Sequence, residues 1–208
     1  MAVERISDLE VRLTPPITDE DVRQLKIGDH VLITGVIYTA RDAAHKRMVD
    51  TLDAGGTLPI DVRGQVIYYV GPTPPRPGRV SGSVGPTTSM RMDPFTPRML
   101  AAGMKVCMGK GNRGSEVRQA LEKHTGVYLM AVGGGGAMLS RFIKSIEVVA
   151  YEDLGTESIK KMVVENFPAV VMDDCMGRDL LTEGRKQYRD LSKLGGYVPS
   201  EKIVIAAG

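Results

Sequence analysis

Four short stretches of the chain gather residue types that can do chemistry. In GPTTSMRMDPF the Gly85–Pro86 pair fixes a sharp corner, because proline locks its own φ. Thr87, Thr88 and Arg91 follow that corner and are aimed by it. In VCMGKGNRGS a glycine-rich turn carries Lys110, Asn112 and Arg113. VGGGGAML supplies Gly133 to Gly136, which let backbone come close to a ligand, and TARDAAHKR puts Arg41 at the start of a helix. Glycine-loop N–H groups with Lys and Arg beside them form a receptor for anions. Arginine can grip a carboxylate through two parallel hydrogen bonds, and lysine supplies a point charge. Arg41, Arg91 and Lys110 together therefore suit a small dicarboxylate.

Each of these residues also has a plainer use. A lone GKG turn is common, four glycines can serve only as a link, and Arg41 can simply pair with Asp42. His45, between Ala44 and the charged Lys46 and Arg47, is expected on an exposed helix face. His30 and His124 have no Cys or His at ligand spacing, so no metal site is expected on this chain. GKGNRGS lacks the spacing and the Lys-Ser/Thr pair of a phosphate-binding P-loop, and no GxSxG elbow is present. What favours the anion site is convergence: three corners offer cations or free backbone N–H groups, and one adds hydroxyls.

The elements that position these corners alternate. HVLITGVIYTA reads as a strand and RDAAHKRMVDTLDAGG as a helix stopped by Gly55-Gly56. QVIYYVGP is a strand ended by Gly71-Pro72, followed by the proline-rich loop TPPRPG. PFTPRMLAAG (helix), MKVCMGKG (strand), SEVRQALEKHTG (helix) and VYLMAV (strand) follow, then the glycine loop and a further helix. That order predicts an α/β fold with parallel strands and crossover helices. Thr18 and Asp21 stand at capping-box spacing. SIEVVAY, IKKMVVENF and AVVMDDCMG read as three strands with short links, which predicts a second, largely antiparallel sheet beside the parallel one. Residues 1–183 form the expected domain and residues 184–208 an extension, polar before a final apolar IVIAA.

The 208 residues suffice for a buried core, and 42% hydrophobic with 25% charged residues describes a globular protein. A net charge of +2 gives no reason to expect nucleic acid or an anionic membrane as partner. No apolar run is long enough to span a bilayer, and the first residues lack a secretory signal, so a cytoplasmic location is expected. Cys107 and Cys175 are expected to be reduced and buried, and two cysteines are too few for the thiolate shell of an iron–sulfur cluster.

Taken in order, TGVIYTARDAAHKR, IYYVGPTPPRPG, GPTTSMRMDPFTPRML, GKGNRG, GGGGAML, YEDLG and ENFPAVVMDDCMGRDLL resemble the β subunit, or C-terminal domain, of the class I fumarate hydratases over residues 10–183. The related L-tartrate dehydratase β subunit shares the GPTT segment. The resemblance implies a swivelling β/β/α fold of three layers and a reversible hydration of fumarate to L-malate. It further implies a [4Fe–4S] cluster held by a separate α subunit, and a hetero- or homo-oligomeric enzyme with a dicarboxylate substrate. By position in the motifs, Thr87 is implied as the base that takes a proton from carbon, with Arg41, Arg91 and Lys110 as carboxylate ligands. The acid is implied to lie on the α subunit, leaving Asp93 to pair locally or to cap the PFTPRML helix. A tartrate-type dehydratase subunit and a non-catalytic anion-binding module are the competing readings.

Overall fold

A computed structural model describes residues 2–189. In chain order the elements are β1 (Val3–Arg5), β2 (Glu10–Leu13), α1 (Asp19–Val22), β3 (His30–Thr39), α2 (Asp42–Asp53) and β4 (Val66–Tyr68). They continue with α3 (Thr96–Ala101), β5 (Val106–Gly109), α4 (Ser115–Lys123), β6 (Val127–Met130), α5 (Gly136–Leu139), β7 (Ile143–Ala150), β8 (Ile159–Asp173) and α6 (Leu180–Tyr188). The capping box forms at α1: the Thr18 hydroxyl accepts from the Asp21 N–H, and the Asp21 carboxylate accepts from the Thr18 N–H at 3.0 Å.

The fold is α/β with a mixed sheet. β2, β3, β4, β5 and β6 run parallel to their neighbours in that order, while β1, β7 and β8 pair antiparallel. Hydrogen bonding joins all eight strands, so the antiparallel part is continuous with the parallel part rather than a separate sheet. Two long strands make this connection. β3 pairs along one edge with β2 and then β4, and along the other with β8; β8 in turn pairs with β7 and β6 on its far edge. The path β3–β4–β5–β6–β8–β3 thereby closes on itself.

β8 corrects the sequence reading. IKKMVVENF and AVVMDDCMG are one strand, which continues through Asn166 at φ 51°, a left-handed conformation that asparagine tolerates. α6 runs across residue 184, and the IVIAA segment lies outside the described residues.

Alternation along β4, β5 and β6 feeds two apolar layers. Val66, Tyr68, Val106, Met108, Val127 and Leu129 face one core with Ile33, Phe167 and Val171. Ile67, Tyr69, Cys107 and Tyr128 face the other, against Met48 of α2, Met99 and Leu100 of α3, and Val117 and Leu121 of α4. Strands buried on both faces need apolar residues throughout, which is why these three read as unbroken hydrophobic runs. Their carboxyl ends lie side by side and lead into the corners singled out in the sequence.

Candidate active site

The GPTT corner is held between two strand ends. The Thr87 N–H donates to the Tyr69 carbonyl at 2.7 Å, and the Lys110 N–H donates to the Thr87 carbonyl at 3.1 Å. Thr88 bridges Lys110 in parallel register, and the Ser89 N–H donates to the Lys110 carbonyl at 2.8 Å. Thr87 and Lys110 are thus neighbours across a strand pairing, just beyond β4 and β5. The carboxyl ends of parallel strands are where α/β folds bind ligands. Gly109 makes the approach possible, since a Cβ there would meet the Thr87 carbonyl and the Tyr69 ring, each at 3.0 Å. The Lys110 side chain lies over Gly133, its Cδ 3.6 Å from the place a Cβ would take, so the glycine loop borders the same corner. Thr87 is half-buried, and its hydroxyl makes no hydrogen bond among the described residues. Lys110 has no ion-pair partner among them either.

Arg41 and Arg91 meet at Asp42, the first residue of α2. The 3₁₀ turn Ser89–Met92 directs Arg91 to it, and Arg91 Nε donates to Asp42 Oδ1 at 2.8 Å. Both terminal nitrogens of Arg91 are left without a protein partner among the described residues, and the side chain is about half exposed. Arg41 packs its guanidinium on Gly71 and lies 3.3 Å from Glu157 Oε1. Arg41 Nε and Asp42 Oδ2 face each other at 3.8 Å, both buried and neither hydrogen-bonded among the described residues. The structure therefore brings Thr87 together with Lys110, and Arg41 together with Arg91, with the 88–92 segment connecting the two pairs.

Beneath the corner lies a buried network whose partners sequence reasoning did not identify. Arg113 is 2% exposed, yet it donates to Asp93 Oδ1 at 2.8 Å, Thr96 Oγ1 at 2.7 Å and Cys107 Sγ at 3.1 Å. Its guanidinium also stacks between the Tyr69 and Tyr128 rings. Burial works against the charge, but Tyr69, Cys107 and Asp93 outweigh it and hold the Arg113 pKa above the ordinary arginine value. Tyr128 donates to the Gly111 carbonyl at 2.7 Å and lies 3.0 Å from Ser89 Oγ, so one ring spans the GKGNRG and GPTT turns. Asp93 does not cap its own helix: its Oδ2 accepts from the Gly114 N–H, at the start of α4.

His45 corrects a second expectation. It is fully buried rather than exposed, its Nδ1 2.9 Å from the Arg41 carbonyl and its ring edge-on to Tyr69. A carbonyl only accepts, so Nδ1 carries the proton. Burial pushes the imidazole pKa down to about 4. The signal was available: Ala44, His45 and Met48 form one buried helical stripe.

Residues 2–184 match the family described as Fumarase C-terminus. The chain is 37% identical over 179 residues to the anaerobic class I fumarate hydratase of Escherichia coli, a match covering 84% of this chain and 33% of that one. It is 38% identical over 177 residues to the mitochondrial fumarate hydratase 1 of Leishmania major, covering 83% of this chain and 32% of that one. A proposed L(+)-tartrate dehydratase subunit beta of Methanocaldococcus jannaschii is 35% identical over 187 residues, covering 86% of this chain and 96% of that one. The chain belongs to the Fumarase C-terminus family, and it spans about a third of the fumarate hydratases it matches.

Proposed function

We propose that this chain is the β subunit of a [4Fe–4S] fumarate hydratase, adding water reversibly across fumarate to give L-malate at a site shared with an α subunit. The observation that carries this reading is the backbone pairing that holds Thr87 against Lys110 at the ends of β4 and β5, where, among the described residues, the Thr87 hydroxyl has no hydrogen bond and the Lys110 ammonium no ion pair. Similarity to enzymes named fumarate hydratases supports the reaction, and similarity over nearly its whole length to a protein named as a subunit beta supports a partner.

The residues of this chain do not fit a cluster. Cys107 and Cys175 are both buried, and Cys107 is engaged by Arg113. No group of three or more His, Cys, Asp or Glu among the described residues is arranged to hold a metal. The cluster is assigned to the α subunit, and the roles derived for this chain are binding and proton transfer. The Arg91 terminal nitrogens and Lys110 bind substrate carboxylates, and Arg41 borders the same anion. Thr87 removes the proton from the carbon next to the departing hydroxyl, with the neighbouring cations stabilising its alkoxide. The electron pair left on carbon is delocalised into the adjacent carboxylate, where the same cations stabilise it.

A swivelling β/β/α description of the fold goes with this reading. Its support is the pair of apolar layers on opposite faces of β4–β6. A cytoplasmic setting goes with it too: both cysteines are unpaired, and no described helix is long and apolar enough to cross a membrane.

Anaerobic hydration of fumarate, measured with this chain, with a cluster-bearing α subunit, and with both, tests the proposal. Turnover only in the mixture supports it, and a complex that forms but leaves fumarate untouched refutes it. One observation favours tartrate as the substrate: the beta-subunit relative is matched over nearly its whole length. Comparing turnover of L-malate and L-tartrate by the complex decides between the two.

A further inference from the structure

A second cluster of cations lines a cavity apart from Thr87, Arg41, Arg91 and Lys110, and it is independent of the function proposed above. Residues 73–83 form a closed loop, with the Thr73 N–H donating to the Ser83 carbonyl at 3.0 Å and the Ser83 N–H donating to Thr73 Oγ1 at 2.8 Å. At its tip Arg76-Pro77-Gly78-Arg79 makes a type II turn. Proline sits at the second position, Gly78 has φ 74°, and the Arg79 N–H closes onto the Arg76 carbonyl at 3.0 Å. The turn therefore presents Arg76 and Arg79 close together. Arg141, in the 3₁₀ turn after α5, faces them across a cavity of about 520 Å³.

The charge pattern of this cavity sets it apart. Arg76, Arg79 and Arg141 line it, with hydroxyls from Thr73, Ser81, Ser83 and Ser140, and no carboxylate lines it. Every other arginine from Arg5 to Arg178 is in an ion pair. Within that span, the three without one among the described residues line a single cavity. Three like charges around one hollow repel each other unless an anion sits between them. None of Thr87, Arg41, Arg91 and Lys110 lines it.

We propose that this cavity is a second anion site, built for a small phosphorylated molecule. A carboxylate presents two oxygens in a plane and is satisfied by one guanidinium fork. Three guanidinium groups on two turns, backed by hydroxyls, match an oxyanion that offers oxygens in several directions, as phosphate does. The cavity is larger than a bare phosphate requires. Val80, Pro74 and Ile143 on its wall give an organic portion an apolar surface.

Isothermal titration of the full chain with pyrophosphate at physiological salt is the test. Saturable binding is expected, weakened about tenfold or more by Arg79→Gln and again by Arg141→Gln, since each removes a charge-assisted pair. Arg91→Lys should leave the titration unchanged. These arginines are exposed, so circular dichroism of the variants should match the parent. No saturable binding, or equal binding by the Arg79→Gln/Arg141→Gln double variant, overturns the proposal. Loss of binding in Arg91→Lys would move the anion to the site above and overturn it as well. Citrate binding as tightly as pyrophosphate would overturn the assignment to phosphate.

Discussion

Two buried groups should impose opposite pH dependences on stability, and separating them tests the buried geometry directly. His45 is neutral in the fold. Its unfolded form takes a proton near 6.5 and its folded form only near 4, so between those values the unfolded chain holds the extra proton. Its contribution to stability is therefore full above pH 6.5 and lost as pH falls through 4, a span of about 3 kcal/mol. Asp173 behaves in the other sense. Burial, and then the nearby Asp179, push its carboxyl from 3.8 up to about 7, and its Oδ2 has no hydrogen-bond partner among the described residues. Between those values the folded chain holds the extra proton, so this contribution is full below pH 3.8 and lost as pH rises through 7, by about 4 kcal/mol.

The two slopes nearly cancel in the native protein between pH 4 and pH 6.5, and Asp173→Asn should unmask the His45 slope. Urea unfolding of both proteins at half-unit steps from about pH 3.5 to pH 8 gives the difference curve. Carboxylates held low by ion pairs, such as Asp153 beside Arg47, act equally in both and drop out. The variant should gain on the parent steadily as pH rises through the window and level off above pH 7. A difference curve that is flat with pH would refute the burial of a protonated carboxyl at position 173. His45→Asn, measured the same way, should unmask the opposite slope and fall behind the parent as pH rises from about 4 to 6.5, because the amide does not take up a proton.

Thr87→Ala should abolish fumarate hydration by the assembled complex while leaving assembly intact, and retained turnover would remove Thr87 from the mechanism. Arg91→Lys exchanges a forked donor for a point charge and should raise KM about tenfold or more, checked by steady-state kinetics. Gly109→Ala forces the new methyl first onto the Ser89 hydroxyl and then onto the Thr87 carbonyl and Tyr69, and should cost about 1–3 kcal/mol in urea unfolding, with loss of turnover in the complex. Arg113→Met leaves Asp93 without its ion-pair partner beneath the site and should cost about 3–5 kcal/mol by the same measurement, which a loss below about 1 kcal/mol would contradict.

Much of this architecture could be read from local pattern. The runs of β3, β5 and β6, the helices α2 and α4 and the Thr18 cap all follow from periodicity and turn residues, because each is decided by neighbours in sequence. Closure of the sheet could not be read, because it depends on which edges of β3 and β8 meet. Asn166 and Pro168 look like a break between two strands until pairing with β3 on either side shows the chain continuing. His45 was read as exposed from the charges of Lys46 and Arg47, which point away while the Ala44–His45–Met48 stripe points inward. Arg113 was legible as a cation beyond a strand, but not as a buried one. Its partners Asp93, Thr96, Cys107, Tyr69 and Tyr128 come together only in the fold.

The charges at the candidate site bear on why a second subunit would be needed. Arg41 and Arg91 share Asp42, and Arg41 also lies against Glu157, so these four groups are formally neutral together. Lys110 alone adds an unbalanced positive charge. A dicarboxylate carries two negative charges, and placing it here would leave one unmatched in a partly desolvated corner, at a cost that rises as water is excluded. On the proposed reading the balance comes from across the subunit boundary. Substrate affinity for the isolated chain should then be weak and strongly salt-dependent, whereas the complex should bind with a smaller salt dependence. Tight, salt-insensitive binding of L-malate by the chain alone would mean that its own residues already complete the site.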